Sequence, residues 1–272
     1  IYTWPEKVAG RTDASRHGER TVHVETTLEV QAGESFVRAH TRFDNPSRDH
    51  RLRAWFPLPT PATTSQAECA FAIVERGLEA EGGPTERGLP TFPSRRFVRA
   101  GGLTVAHEGL LEYELVEDGT ALALTLLRAT GMLSRVEMSY RPLPAGPPLT
   151  MDGPQMIGPV EATYALTVGD VDPFAMVDDV FLPLHVVSAP GGGTWPDAGQ
   201  ALAVEGAQVS ALQRRNGALE LRVFNPSTEP TTVTVGERRG WLVDLLGRPV
   251  AAFDGSFPLA PWQIATATIT GG

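Results

Sequence analysis

Val22-His-Val-Glu-Thr-Thr-Leu-Glu-Val30 and Val37-Arg-Ala-His-Thr-Arg-Phe43 decide the fold class of this chain. In the first stretch Val22, Val24, Thr26, Leu28 and Val30 share one parity, with His23, Glu25, Thr27 and Glu29 between them. In the second, Val37, Ala39, Thr41 and Phe43 alternate with Arg38, His40 and Arg42. Successive side chains of a strand point to opposite faces, so a period of two predicts two strands, each with one buried face. Gly33-Glu34 lies between them and predicts a local antiparallel hairpin.

The same rhythm continues outward. Leu111, Tyr113 and Leu115 predict a strand, and Asp118-Gly119 leads into Ala121–Leu127, apolar on both parities as expected of a strand covered on both faces. Val160, Ala162, Tyr164, Leu166 and Val168 alternate again. Helical periodicity is scarce. Ser65-Gln-Ala-Glu68 has the form of a capping box, but Phe71, Ile73 and Gly77 fit a strand, which is the reading preferred here. Asp172-Pro173 predicts one short helix through Val180. The predicted class is all-β.

A Gly- and Pro-rich stretch, residues 189–196, predicts a boundary, giving a large β domain over 1–193 and a small one over 194–272. In the small domain Ala218–Phe224, Thr231–Val235, Trp241–Leu245 and Ile264–Thr270 read as strands, with turns at Asn225-Pro-Ser227 and Leu246-Gly-Arg-Pro249. The 28 glycines and 23 prolines among 272 residues suit many short strands joined by tight turns.

Charge and composition exclude several functions. A net charge of −9 argues against non-specific nucleic-acid binding, which runs on dense basic residues. Of the 23 basic residues only Lys7 is a lysine, a skew of the kind produced by GC-rich bacterial coding. The single cysteine, Cys69, permits no internal disulfide and no thiolate metal cage. No apolar run approaches the roughly 18–20 residues that span a bilayer. The expectation is a soluble bacterial protein of the cytoplasm, with neither membrane nor nucleic acid as a partner.

No catalytic centre is declared by the residues themselves. His107-Glu108 begins a zincin-like word, but Leu111 stands where the second histidine is needed. His17, His23, His40, His50 and His185 show no ligand spacing, and Pro173-Phe174 interrupts the acidic run Asp170–Asp179 where a calcium loop needs ligands and glycine. No nucleophile elbow, phosphate loop or dinucleotide fingerprint is present. The densest polar cluster is Asp49-His-Arg-Leu-Arg53, which reads either as a ligand rim or as a charge-protected edge strand. Arg128 and Arg135 bracket the segment that follows the most apolar strand, and an arginine leaving such a strand needs an acidic or ligand partner.

Several stretches together resemble a known family. Phe43-Asp-Asn-Pro-Ser-Arg-Asp-His-Arg-Leu-Arg-Ala-Trp-Phe-Pro57 is similar to the "N-x-x-x-D-H-R-L-R-x-x-F-P" stretch in the C-terminal half of bacterial family-38 glycoside hydrolases, the α-mannosidases. Gly109-Leu-Leu-Glu-Tyr113 resembles its "G-L-x-E-Y", and Leu124-Thr-Leu-Leu-Arg-Ala-Thr-Gly-Met-Leu-Ser-Arg135 its "L-T-L-L-R-x-x-G-x-L-S-R". Ala145-Gly-Pro147 with Gln155 and Gly158 matches "A-G-P … Q-x-x-G", and Leu221-Arg-Val-Phe-Asn-Pro-Ser227 resembles the strand opening the last small β domain. Trp55, where the family usually has an aliphatic residue, and Thr130, where a valine is common, depart from the pattern.

The resemblance implies a large antiparallel β-supersandwich, galactose-mutarotase-like, followed by a small β-sandwich. It implies that the zinc ligands and aspartate nucleophile lie in an upstream catalytic barrel and helical domain of the same polypeptide. This chain would then be inactive alone while its parent is a zinc-dependent retaining α-mannosidase, with two carboxylates as that route requires. No catalytic residue and no metal ligand is assigned here. Arg128, Arg135, Asp49, His50, Arg51 and Gln155 are the candidates to face an α-mannoside substrate, with an ion pair from Arg128 to Glu112 or Glu114 as the alternative for that arginine. The rival reading of the whole chain is a free-standing carbohydrate-binding β-sandwich module.

Overall fold

The computed structural model describes residues 2–4, 7–8, 16–135, 138, 140–188, 191–194, 196 and 198–270. It is built of strands, with one α-helix among the described residues. The chain divides into two compact units: Ile1–Glu68 with Val74–Leu182, and Cys69–Ile73 with Pro183–Gly272. The division thus falls at Leu182–Pro183, ahead of the Gly191–Gly193 run.

Besides two short two-stranded ribbons, Tyr2–Trp4 with Arg20–Val22 and Lys7–Val8 with Arg16–His17, the first unit is built on two larger antiparallel sheets. A seven-stranded sheet runs in the order Val24–Glu29, Val37–Asn45, Gly158–Val168, Leu103–His107, Phe97–Ala100, Thr64–Cys69, Ala72–Gly77. A four-stranded sheet runs Phe92–Pro93, Glu112–Val116, Ala121–Arg128, Arg51–Pro57. One core contains side chains of both: Ala39, Val98, Leu103 and Val105 from the larger, Tyr113, Leu115, Leu122 and Leu124 from the smaller. Leu122 and Leu124 are fully buried, and each contributes about 1.5–3 kcal/mol through removal of its side chain from water. A polar strut also spans this core, the Ser65 hydroxyl lying 2.8 Å from the Tyr113 hydroxyl.

The hairpin predicted from the opening stretches is present, with Val24 opposite Phe43 and Leu28 opposite Ala39. Its second strand buries Ala39, Thr41 and Phe43 as the alternation requires. Its first strand departs from expectation, because Leu28 is 65% and Val30 72% exposed. Val24–Glu29 is the outermost strand of the sheet, and alternation marks a face without supplying anything to cover it. Residues 64–77 form two strands, not a helix, and Glu68 of the capping-box word is buried in the sheet.

The helix Pro173–Phe181 begins where Asp172-Pro173 predicts. Asp172 Oδ1 accepts from the backbone N–H of Phe174 at 2.9 Å, satisfying an otherwise orphaned donor, and proline at the first position loses nothing there. Phe174, Met176 and Val177 are the buried face, with Phe174 edge-on to Phe97 at 5.1 Å.

The second unit is one five-stranded antiparallel sheet in the order Gln208–Arg215, Ala218–Phe224, Ile264–Thr270, Thr231–Val243, Pro249–Leu259. Leu221, Val223, Val233, Phe257 and Ile269 share its core. The two strands predicted at Thr231–Val235 and Trp241–Leu245 are one 13-residue strand whose pairing shifts register between Thr234 and Arg239. Gly236, at φ 64°, supplies the left-handed residue that such a bulge uses.

Candidate functional site

Three loops of the first unit meet at one end of the four-stranded sheet. The first follows Val37–Asn45, whose period-two pattern points Asn45 inward after Phe43. Asn45 is 1% exposed, and a buried amide must find partners. Its Nδ2 donates to the carbonyls of Gln155 (3.1 Å) and Met156 (2.9 Å), and its Oδ1 accepts from Ser47 N. The chain then turns through Asp49, a non-glycine residue at φ 52°.

Asp49 is fixed at both backbone and side chain. Its N–H donates to Gln155 Oε1 at 2.8 Å. Its Oδ1 accepts from Gly131 N at 2.8 Å and from Arg135 Nη2 at 3.0 Å. Thr130 N donates to Pro154 O and Met151 N to Gly131 O, tying the 129–135 loop to the 151–156 loop. Gly131 is required by contact, since a Cβ there would sit 2.2 Å from Gln155 Nε2 and 3.3 Å from Asp49 Oδ1. Gln155 is itself 2% exposed.

A second cluster lies on the neighbouring strands, centred on Glu112. Its carboxylate accepts from Arg128 Nη1 (2.6 Å), Arg51 Nη1 (3.1 Å) and Thr125 Oγ1 (2.9 Å). Burial pushes the Glu112 carboxyl up, but the Thr125 hydroxyl and the Arg128 and Arg51 guanidiniums outweigh it and hold it below its ordinary value. Glu112 therefore stays ionised at neutral pH, an acceptor for hydroxyl groups and not a proton donor. Beside it opens a cavity of about 530 Å³, lined in part by Thr91, Leu111, Glu112, Thr125, Arg128 and Met156. An apolar lining with a few fixed polar groups is the usual make-up of a small-molecule site.

The six predicted residues thus fall into place unequally. Asp49, Arg135 and Gln155 converge, although Asp49 lies 86 residues from Arg135 and 106 from Gln155 in sequence. Arg51 and Arg128 meet at Glu112, the ion pair weighed for Arg128. His50 turns toward Trp4, ring centroids 5.2 Å apart, while its carbonyl accepts from Ala129 N. Sequence reasoning missed Asn45 and Gly131 as members of this constellation. The inward parity of Asn45 was the available signal, because a buried amide on an apolar strand face demands partners.

Metal binding finds no support in these side chains: among the described residues no group of three or more His, Cys, Asp or Glu comes together. His107 lies apart from the cluster, fully buried on its strand with Nε2 2.8 Å from Ser94 Oγ. The residues present do not fit a zinc ion, and the chemistry available is hydrogen bonding from fixed guanidiniums, amides and carboxylates.

Comparison with known proteins bears on the fold of these all-β units. No family model matches the chain. It is 35% identical over 136 residues to the "Putative mannosylglycerate hydrolase" of Halalkalibacterium halodurans, a match covering 47% of this chain and 14% of that protein. In fold it is similar to an α-mannosidase from Enterococcus faecalis V583, with a TM-score of 0.74 and 23% identity over 93% of this chain and 29% of that one. A glycosyl hydrolase family 38 protein from Enterococcus faecalis gives the same TM-score and identity, with 30% of its length covered. The chain has the fold of a part of family-38 chains, and it spans less than a third of their length.

Proposed function

We propose that this chain is the C-terminal β region of a zinc-dependent retaining α-mannosidase of the bacterial cytoplasm. In this reading zinc and the nucleophile belong to an upstream catalytic barrel and helical domain of the same polypeptide. The chain itself carries no catalytic dyad, and supports and completes the sugar site. The observation that carries the reading is the Asp49–Arg135–Gln155 cluster. Five sequence stretches resembling the family run in order along the chain, and two of them, 43–57 and 124–135, meet there with Gln155. A free-standing binding module would not need residues from those stretches to be knitted together around one aspartate.

Held by Asp49, the Arg135 guanidinium is aimed without being fully buried, its side chain 22% exposed. Guanidinium groups bind paired oxygens through parallel hydrogen bonds that a lysine cannot copy. The test is hydrolysis of aryl α-mannosides by the 272-residue chain and by the full-length protein. The chain alone is expected to be inactive with or without zinc, since glycosidic cleavage needs two carboxylates correctly placed across the bond. The full-length protein is expected to be active and chelator-sensitive. Chelator-sensitive turnover by the chain alone would overturn the reading.

A further inference from the structure

The strand Arg51–Pro57 has a second face that the loop cluster does not use. Leu52, Ala54 and Phe56 point inward and pack on the first unit's apolar side chains, so Arg51, Arg53 and Trp55 share the outer face. Cross-strand register sets two rows beside them. Arg53 lies opposite Thr125, and Trp55 lies opposite Ala123, which in turn lies opposite Glu114. Ala123 with Ala121 and Val116 forms a small buried apolar floor on this face. Trp55 remains 47% exposed beside that floor.

Charged groups around the indole are fixed in place. Arg53 Nη1 donates to Glu114 Oε2 at 2.5 Å, and Thr91 Oγ1 donates to the same oxygen at 3.4 Å. The Arg53 guanidinium carbon lies 5.5 Å from the Trp55 ring centroid, within cation–π range. Arg51 bridges this group to the Glu112 cluster, 3.7 Å from Glu114 and 3.1 Å from Glu112. Side chains two apart on one strand face are about 6.6–7 Å apart, so Arg51, Arg53 and Trp55 form an evenly spaced ladder leading away from the loop cluster.

We infer that Trp55, Arg53 and Glu114 form a subsite for a further sugar ring, so that the preferred ligand is an oligosaccharide running along strand Arg51–Pro57. The inference rests on the sugar-facing reading of the Asp49–Arg135–Gln155 cluster and names its substrate class more narrowly. A pyranose offers an apolar C–H face for the indole and a rim of hydroxyls for a guanidinium and a carboxylate already held in position. Charge selects this occupant over an apolar protein surface. Covering Arg51, Arg53, Glu112, Glu114 and Arg128 with apolar groups would desolvate five charges without replacing their water hydrogen bonds, whereas sugar hydroxyls replace them.

The test is titration of the 272-residue chain with mannose and with a linear mannotriose, followed by calorimetry and by NMR of the tryptophan indole N–H signals. Mannotriose should bind at least about tenfold tighter than mannose, a difference of about 1.4 kcal/mol. Trp55→Ala should lose that gain and leave mannose binding unchanged, while Trp55→Phe should keep most of it. Trp55 is half exposed, so thermal melting of both variants should match the parent; should Trp55→Ala melt early, Trp55→Phe and the perturbation of the parent's Trp55 signal decide. Equal affinities for mannose and mannotriose, or mannotriose binding indifferent to Trp55→Ala, would overturn the subsite. Parallel titration with a linear gluco-oligosaccharide separates the two readings. Trp55-dependent binding of the gluco-oligosaccharide alone keeps the subsite and removes the mannoside assignment, and Trp55-independent binding of mannotriose does the reverse.

Discussion

Gly131 shows how tightly the candidate site is built. A Cβ on it would meet the Gln155 side-chain amide, and that amide is restrained because its Oε1 accepts from Asp49 N. Gly131→Ala should therefore destabilise the chain by about 1–3 kcal/mol, the usual cost of overpacking a filled site, measured by urea unfolding. A change within about 0.5 kcal/mol, the range of an ordinary surface substitution, would mean the Gln155 side chain is free to move and the cluster is not rigid. Little of this was legible in the sequence. Asp49 and Gln155 are 106 residues apart, and no periodicity reports which loops meet. Only the family resemblance singled out Gln155, whereas Asp49 and Arg135 stood out by charge as well as by the resemblance.

At the scale of one element, the strand Leu103–His107 is the fourth of seven in its sheet, and its last residue titrates in an unusual setting. Ser94 Oγ donates its only hydrogen to Phe97 O at 2.8 Å, so it accepts from His107 Nε2–H. Nδ1 is buried without a hydrogen-bond partner among the described residues. Protonation would add a buried N–H with nothing to receive it, and burial lowers the His107 pKa to about 4. The folded-state value is depressed below the ordinary 6.5. Between those values the unfolded chain takes up a proton that the folded one refuses, so stability is full above pH 6.5 and declines as pH falls toward 4. At 1.36 kcal/mol per pKa unit the loss is on the order of 3 kcal/mol. His107→Gln keeps a donor toward Ser94 and removes the titration, so the parent-minus-variant difference in unfolding free energy should shrink with acid across that window. A difference independent of pH would show that His107 is not the group responsible.

Other elements mark where pattern reading succeeds and fails. Ala121–Leu127, apolar on both parities, is the strand buried at every position to Leu127. Thr231–Val243 was broken in two because Gly236-Glu-Arg-Arg-Gly240 interrupts its apolar alternation, while the backbone simply shifts register and continues. Gln208–Arg215 gave no signal, since almost every residue in it is exposed and both faces are polar or mixed.

For the whole molecule, the all-β class followed from alternation, and two compact units are found, divided at Leu182–Pro183. The function lay outside what alternation can report. It rests on short motifs that the fold of family-38 chains supports, and on the loops that gather them. The central claim is that Arg135 faces sugar. Its ion pair with Asp49 is largely buried, the two side chains 22% and 18% exposed, but a glutamine amide can still donate toward Asp49 Oδ1, which also keeps the Gly131 N–H. Arg135→Gln should then leave the melting temperature nearly unchanged. The decisive measurement is kcat/KM on an aryl α-mannoside for Arg135→Gln in the full-length protein, with thermal melting alongside. The account predicts a fall of about tenfold or more, at least 1.4 kcal/mol of lost transition-state binding, at constant stability. A lowered melting temperature with unchanged kcat/KM per folded molecule would contradict it and make Arg135 a structural residue.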